Sequence, residues 1–265
     1  MIRVGVIGAN GRMGREVSKA VCDDPELVLV AAVDTTNCGE NIGPLIGHPE
    51  LSLEISEELD ALTDAEVDVA VDFTHPDAVL DNVDWCARHA IHIVVGTTGI
   101  SQADLDRIRG LLEEEGNESN VFVAPNFAIG AVLMMRFAAQ ASRWMPSAEI
   151  IELHHDGKAD APSGTAMKTA EEIAKARPSG GEAKPSKEVA AGARGGEVAG
   201  IHVHSVRLPG LVAHQEVILG GPGQSLSIRH DSYDRASFMP GVLLAIKNIA
   251  KRPGLTYGLE NLLEL

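Results

Sequence analysis

Short apolar runs alternate with helix-forming stretches through the first half of this 265-residue chain. The runs are typical of buried strands, and they cover residues 2–7, 27–33, 67–73, 91–95 and 121–124. Helices are expected between them, at residues 11–22, 76–89 and 102–115. Parallel strands need long crossover connections, so the alternation predicts βαβ units in a parallel sheet. Right-handed crossovers then give a Rossmann-like, doubly wound α/β fold.

The composition supports buried parallel strands. Hydrophobic residues make up 45% of the chain, but aromatic residues make up only 3%. The core must therefore be built from Val, Ile, Leu and Ala. Such aliphatic runs are typical of parallel strands that are covered by helices on both faces.

The pattern changes near residues 125–130, and the second half predicts a different architecture. A helix is expected at 131–143, a strand at 148–154 and a helix at 163–177, capped by Ser163 or Thr165. Residues 178–200 are rich in Gly, Pro, Ala and charge, and they predict a mobile loop. Strand-like runs then follow in succession at 201–207, 214–219 and 225–230. Strands without intervening helices favour a mixed or antiparallel sheet in a second, α+β domain.

A last helical segment, residues 234–251, is expected to pack against the first domain. That domain would then be discontinuous, formed by residues 1–126 and 236–265. Residues 127–235 would form the second domain.

Charge and cysteine content exclude several classes of function. The formal net charge is −16, and repulsion from phosphate groups disfavours nucleic acid and anionic membranes as partners. The three cysteines, Cys22, Cys38 and Cys86, form no CxxC motif, which favours a reducing compartment. No signal-like segment opens the chain, and no apolar run reaches the roughly 18 residues of a membrane helix. A cytoplasmic protein is expected.

A glycine-rich loop follows the first predicted strand. Its GxxGxxG spacing places Gly8, Gly11 and Gly14 where a strand passes into a helix, with Asp34 20 residues later at the end of the second strand. Glycines allow close approach to a pyrophosphate, the helix N-terminus attracts its charge, and an acid at this distance binds ribose hydroxyls. The expected dinucleotide contacts are Gly8, Ala9, Asn10, Gly11, Arg12, Met13 and Asp34. The alternative is a plain turn with a surface Asp.

Cofactor preference depends on two residues of opposite charge. Asp34 favours NADH, because a carboxylate repels the 2′-phosphate of NADPH. Arg12, in the glycine loop, can reach the adenosine phosphates. Use of both NADH and NADPH is the resulting hypothesis.

Two further loops follow predicted strands, where open parallel sheets bind ligands. They contain Gly96, Thr97 and Thr98, and then Ala124, Pro125, Asn126 and Phe127. Both are expected near the ribose and nicotinamide, although simple turn chemistry explains them equally well. The segment Asp72–Pro76 also follows a predicted strand and is a similar candidate. Thr74 within it can alternatively be a helix cap.

Proton chemistry and anion binding are concentrated at residues 154–165. His154, His155 and Lys158 follow a predicted strand, and the Ser163-Gly164-Thr165 turn opens a helix. Histidine donates protons near neutral pH, while Lys158 and a helix N-terminus attract a carboxylate. The alternatives are structural histidines, a solvated lysine and a simple cap. A zinc site is disfavoured because adjacent strand residues point to opposite faces and no third ligand is evident.

These motifs resemble the 4-hydroxy-tetrahydrodipicolinate reductase family, also called dihydrodipicolinate reductase. The matching segments occur in order over nearly the whole chain, at residues 4–14, 72–76, 94–99, 124–130 and 152–166. The resemblance implies reduction of a cyclic dicarboxylate by NAD(P)H in the diaminopimelate route to lysine. From the residues themselves, no metal site is expected.

The resemblance also implies individual roles. His154 matches the proton donor and acceptor, and Lys158 matches a second proton donor. Substrate contacts match at His155, Gly164 and Thr165, to which the anion-site reasoning adds Ser163. Cofactor contacts match at Gly8–Met13, Asp34, Gly96–Thr98 and Ala124–Phe127. The family is typically a homotetramer joined through its C-terminal sheets, with two domains that close about a hinge. Arg235 lies near that expected hinge and is a candidate cofactor contact.

Two other functions stay open at this point. A dehydrogenase of an amino acid semialdehyde fits the same framework but would not need the anion site at residues 160–165. A redox-sensing NAD(P)H-binding protein would keep the glycine loop but would not need His154 and Lys158.

Overall fold

The computed structural model describes residues 1–114, 117–178 and 187–263. These residues form two compact units. Among the described residues, one unit comprises 1–127 and 238–263, and the other comprises Ala128–Ser237.

The described residues form strands and α-helices in both units. The strands are β1 (Ile2–Ile7), β2 (Leu27–Val33), β3 (Ile55–Ser56), β4 (Val69–Asp72), β5 (His92–Val95), β6 (Val121–Val123), β7 (Ser147–His154), β8 (Gly196–Val198), β9 (Ile201–Arg207), β10 (Ala213–Gly221), β11 (Gln224–Ser232) and β12 (Leu255–Tyr257). The α-helices are α1 (Arg12–Asp23), α2 (Ile42–Ile46), α3 (Asp60–Asp64), α4 (Pro76–Arg88), α5 (Gln102–Leu112), α6 (Ile129–Ser142), α7 (Gly164–Ala176) and α8 (Met239–Asn248).

The first unit contains a parallel sheet in the order β12-β6-β5-β4-β1-β2-β3. Strands β2 and β3 lie on one side of β1. The chain then crosses back over β1 and places β4, β5 and β6 on its other side. At this switch point, Ile7 is in register with both Val33 and Asp72. The loops that follow β1, β2 and β4 therefore begin side by side at one edge of the sheet. The predicted doubly wound parallel sheet is confirmed.

An aliphatic core holds this sheet to its helices, as the composition predicts. Every residue of β4 is buried, and α1 buries Gly14, Val17 and Val21 at helical spacing. Phe122 of β6 is a fully buried aromatic side chain, and its ring centroid lies 6.0 Å from that of Phe127.

The second unit contains a mixed sheet in the order β11-β10-β7-β9-β8. Strand β7 is central, with β10 antiparallel on one side and β9 parallel on the other. Helices α6 and α7 pack on the sheet through Met134, Ala138, Ala170 and Ile173. The predicted mixed sheet is confirmed, and its central strand ends at His154.

Strands β1, β2 and β9 have the predicted bounds. The predicted helix at 234–251 is instead interrupted: a 3-10 turn covers Arg235–Phe238, α8 covers Met239–Asn248, and a second 3-10 turn covers Ile249–Lys251. Pro240 explains the first boundary, since proline is tolerated in the first turn of an α-helix but not in its interior.

The prediction of a loop at residues 178–200 is wrong for residues 196–198. Residues 196–198 form β8, which pairs antiparallel with β9. Residues 179–186 of that prediction lie outside the described residues. No helix of the described chain has the length and apolar character needed to cross a membrane.

Candidate active site

Close packing between α1 and the glycine loop explains the spacing of the three glycines. A Cβ atom on Gly14 would lie 1.9 Å from the carbonyl oxygen of Gly8. Gly8 has a φ of +80°, and the missing side chain avoids the backbone of Phe73. Gly11 is the N-cap of α1, so no side chain occupies the helix N-terminus, and the first turn has no acidic residue. This cradle fits a pyrophosphate.

Asp34 is tied to the glycine loop by hydrogen bonds. Its carboxylate accepts from the backbone N–H of Asn10 (2.9 Å) and from the N–H and hydroxyl of Thr36 (2.9 and 2.7 Å). The Asn10 amide donates to the Thr36 hydroxyl (2.8 Å), and Arg15 donates to the Asn10 side chain (2.6 Å). Arg12 is exposed at the start of α1, and Met13 is half-buried. Sequence reasoning missed Arg15, whose contact with Asn10 depends on folding.

A cavity of about 350 Å³ lies at this edge of the first unit. Gly8, Gly11 and Asp34 line one part of it, and Phe73 and Leu59 contribute apolar surface. Its volume is in the range of small-molecule sites, roughly 300–1,000 Å³. The structure thus brings the predicted glycine loop and Asp34 together around one space.

A buried carboxylate connects the next two loops. Asp72, at the end of β4, is fully buried and accepts from the Thr74 hydroxyl (2.8 Å), the Thr97 hydroxyl (2.6 Å) and the Asn82 amide (2.7 Å). Thr74 is not a helix cap, because the side chain of His75 accepts from the N–H of Asp77 at the start of α4. The position of this segment directly after an apolar strand is the signal that pointed to it, but Asn82 was missed.

The other predicted cofactor residues differ in exposure. Thr98 and Pro125 are exposed and Asn126 is half-buried, whereas Ala124 and Phe127 are buried. Gly96 lies against Phe73, because a Cβ atom there would be 2.2 Å from the phenyl ring.

In the second unit, His154 lies in a charged network at the end of β7. Its Nδ1 is 2.5 Å from Oε2 of Glu152, which is fully buried. Arg207 donates to both carboxylate oxygens of Glu152, at 2.9 and 2.8 Å. Burial lowers the pKa of His154, and the hydrogen bond to Glu152 opposes that effect only in part. Burial opposes ionisation of Glu152, but hydrogen bonds from Arg207, Ser205 and His154 hold its pKa below the usual range.

Lys158 lies beyond His154 on a short turn. Its ammonium group donates to Asp160 (2.6 Å), and this contact lowers the pKa of Asp160. The positive charge of Lys158 is near enough to His154 to contribute to the lowered pKa of that histidine. The two predicted proton donors are therefore brought together.

Helix α7 begins beside this turn with the predicted cap. The Ser163 side chain accepts from the N–H of Ala166 (3.2 Å), which confirms Ser163 rather than Thr165 as the N-cap. Gly164 is exposed and Thr165 is half-buried. His155 follows the end of β7 and is exposed. Arg235 starts the 3-10 turn at 235–238, and its cofactor role stays a prediction.

Comparison with known proteins identifies the family. The family model described as dihydrodipicolinate reductase, N-terminus, matches residues 2–127, and that described as dihydrodipicolinate reductase, C-terminus, matches residues 130–263. The 4-hydroxy-tetrahydrodipicolinate reductases of Syntrophomonas wolfei and Nocardia farcinica are each 50% identical to this chain; the alignments cover 98% and 100% of this chain and 98% and 99% of the relatives.

A solved structure extends the similarity to three dimensions. The dipicolinate-bound dihydrodipicolinate reductase from Paenisporosarcina sp. TG-14 is 42% identical, with a TM-score of 0.84 over 98% of this chain and 99% of that chain. The chain belongs to the dihydrodipicolinate reductase family.

Proposed function

We propose that this protein is a 4-hydroxy-tetrahydrodipicolinate reductase, which reduces its cyclic dicarboxylate substrate with NAD(P)H in the diaminopimelate route of lysine biosynthesis. The observation that carries the proposal is the convergence of His154, Lys158 and the N-terminus of α7 within one unit of a chain that matches the family over its whole length. This convergence provides proton donors beside an anion site.

The dinucleotide is assigned to the first unit. The glycine cradle and Asp34 would hold its pyrophosphate and ribose, and residues 96–98 and 124–127 would contact its nicotinamide end. When bound, the dinucleotide supplies the hydride. The domain bounds 1–126 with 236–265, and 127–235, belong to this proposal.

The substrate is assigned to residues 154–165. Lys158, His155 and the Ser163–Thr165 turn bind its carboxylates. The substrate loses its hydroxyl group, together with a proton from the adjacent ring carbon, as water. Hydride addition to the resulting unsaturated ring leaves negative charge, which a proton delivered to the neighbouring carbon neutralises. The lowered pKa of His154 makes its neutral form predominant near pH 7, with Nδ1–H donated to Glu152. A proton taken up from solvent water at Nε2 then gives an imidazolium, which Glu152 stabilises. The imidazolium donates this Nε2 proton to the ring and returns to the neutral form, while Lys158 stabilises the developing charge.

Both NADH and NADPH are proposed as hydride donors. Support comes from the Asp34 carboxylate, which already accepts three hydrogen bonds from Asn10 and Thr36, and from the exposed Arg12. The test is kcat/KM with each dinucleotide. A preference of more than about a thousandfold, or about 4 kcal/mol, would contradict dual use.

A homotetramer joined through the sheet of the second unit is proposed from the family resemblance. Light scattering with size-exclusion chromatography tests it, and a monomer at micromolar concentration would contradict it. A cytoplasmic location is also proposed, and it is consistent with the free state of Cys22, Cys38 and Cys86.

One assay tests the activity and separates it from the other functions. The unstable substrate is generated in the cuvette by its synthase, and oxidation of NADH is followed by absorbance. Turnover supports the proposal. Dinucleotide binding without turnover would favour a redox sensor, and turnover only with an amino acid semialdehyde would favour a different dehydrogenase.

A further inference from the structure

The carboxylate beside His154, which stabilises the imidazolium in the proposed reaction, is deeply buried. Glu152 is fully buried in the central strand of its sheet. A lone ionised carboxylate in such a place is strongly disfavoured, so its retention requires compensating partners. Its partners are His154, Arg207 and Ser205, of which the first two can carry a positive charge.

We propose that Glu152, held by Arg207, is the positioning residue that fixes the tautomer and orientation of His154 for proton delivery. Arg207 also supports the loop that carries Lys158. The inference rests on the proposed reductase function.

The strand geometry places the two side chains together. Residues two apart on a strand point to the same face, so β7 presents Glu152 and His154 side by side. A carboxylate that accepts from Nδ1 requires the proton to be there in neutral imidazole. Nε2, which makes no hydrogen bond within the described part of the chain, is then the nitrogen that takes up and delivers a proton.

Arg207 fixes the carboxylate itself. It occupies the position on β9 that is in register with His154, and its two terminal nitrogens form a fork on the two oxygens of Glu152. Such bidentate pairs are stronger and more directional than single hydrogen bonds. The fork leaves the carboxylate few orientations in which it can accept from His154.

The same guanidinium extends to the proton-donor loop. Arg207 donates to the carbonyl oxygen of Asp160 (2.5 Å), and the Asp160 side chain accepts from Lys158. One cation thus connects the support of His154 with that of Lys158. The charged groups that face His154 are Glu152 on β7, Lys158 on the loop and Arg207 on β9.

The chain contains a matched control for this network. Glu149, on the opposite face of β7, accepts from His204 (2.8 Å) and from Arg194. It is the same trio of residue types, but Glu149 is partly exposed and its histidine is not the proton donor. If loss of any carboxylate from β7 impaired the enzyme, substitution of Glu149 would have the same effect as substitution of Glu152.

The experiment compares Glu152→Gln with Glu149→Gln in the full-length protein. Imidazole ¹⁵N chemical shifts, with His154 assigned by its loss in His154→Gln, report the tautomer without any substrate. In the wild type, His154 is expected as the Nδ1–H form; in Glu152→Gln it is expected as a mixture of tautomers with a lowered pKa. The kcat of Glu152→Gln is expected to fall about tenfold to a hundredfold, which is part of the general-acid contribution, with KM changed less. The alkaline limb of its pH profile should move to lower pH.

Glu152→Asp provides the conservative variant if the Gln variant does not fold. It keeps the charge but shortens the side chain, so its kcat should lie between those of the wild type and a variant without the carboxylate. Glu149→Gln should keep kcat within about twofold. Two outcomes would overturn the proposal. The first is that Glu152→Gln or Glu152→Asp keeps the wild-type tautomer and the wild-type kcat. The second is that kcat falls equally in Glu152→Gln and Glu149→Gln. The NMR result stands even if the substrate assignment fails, so the two failures are distinguishable.

Discussion

The buried carboxylate of Asp72 accepts a 2.6 Å hydrogen bond from the hydroxyl group of Thr97, which lies 25 positions later in the chain. The same hydroxyl oxygen accepts from the backbone N–H of Thr74 (2.8 Å). Thr97 therefore joins the loops that follow β4 and β5, both of which are expected to contact the dinucleotide. Sequence reasoning selected Thr97 as a cofactor contact, but the structure also gives it a role in holding these loops together.

Thr97→Val should weaken cofactor binding and stability together. Valine has nearly the same shape but cannot donate to Asp72, and leaving a buried acceptor with one partner fewer costs about 1–3 kcal/mol. Urea denaturation and the KM for NADH measure the two effects. Thr63→Val is the control, since its exposed hydroxyl makes only a local bond in α3. Equal changes in stability and in the KM for NADH in the two variants would contradict the assigned role of Thr97.

Gly14→Ala should disrupt the glycine cradle. The added methyl group would lie 1.9 Å from a backbone oxygen, so α1 must move away from the loop. We expect a loss of stability of about 1–3 kcal/mol, as for overpacking in other cores, and a large loss of NADH affinity. Calorimetry and fluorescence titration measure these changes. Gly110→Ala in α5, where nothing lies within 4 Å, should instead stabilise by about 0.5–1 kcal/mol.

His154→Gln should lower kcat by about 10²–10⁴-fold, the usual contribution of general acid catalysis, with a smaller change in KM. The measurement is steady-state kinetics with the substrate generated in the cuvette. An unchanged kcat would remove His154 from the mechanism.

Lys158→Ala should raise KM for the substrate and lower kcat, because the ammonium group is expected to bind a carboxylate and to stabilise developing charge. Lys168→Ala is the matched control, because Lys168 is an exposed lysine of α7 that pairs with Glu172. Its kinetics should equal those of the wild type. A change in only one of the two parameters for Lys158→Ala would restrict this lysine to a single role.

Stability should fall as the solution is acidified from about pH 7.5 to about pH 5.5. Burial lowers the pKa of His92, His154 and His230 in the folded state. The unfolded chain therefore takes up protons first as pH falls through the ordinary histidine range, which shifts the equilibrium towards unfolding. The urea midpoint at the two pH values tests this; an equal or higher midpoint at the lower pH would contradict it.

Much of the fold follows from the sequence because its signals are local. The apolar run of β1 and the glycines after it define a strand, a turn and a helix start without reference to distant residues. The short elements α2, β3, α3 and β12 were missed because two to five residues do not show a period. The interruption before α8 was missed because Pro240 was read as part of one continuous helix.

In the candidate site too, residues with a local sequence signal were predicted, and residues that depend on distant contacts were not. His154 and Lys158 were found because their residue types and motif point to proton chemistry. Glu152, Arg207 and Asn82 were missed as partners because their roles depend on contacts across strands and helices. Nothing in the local sequence distinguishes Arg207 from a solvated arginine on a strand; only pairing of β7 with β9 brings it to Glu152.

The Glu152–Arg207 pair also constrains how the second unit can fold. The acid and its counter-charge are 55 residues apart in sequence, on different strands. A chain that has formed β7 and α7 but not β9 would have to bury a carboxylate without its cation, which is strongly unfavourable. A fragment that ends before Arg207 should therefore be unable to bury this face of β7, and the docking of β9 becomes a requirement for completing the core.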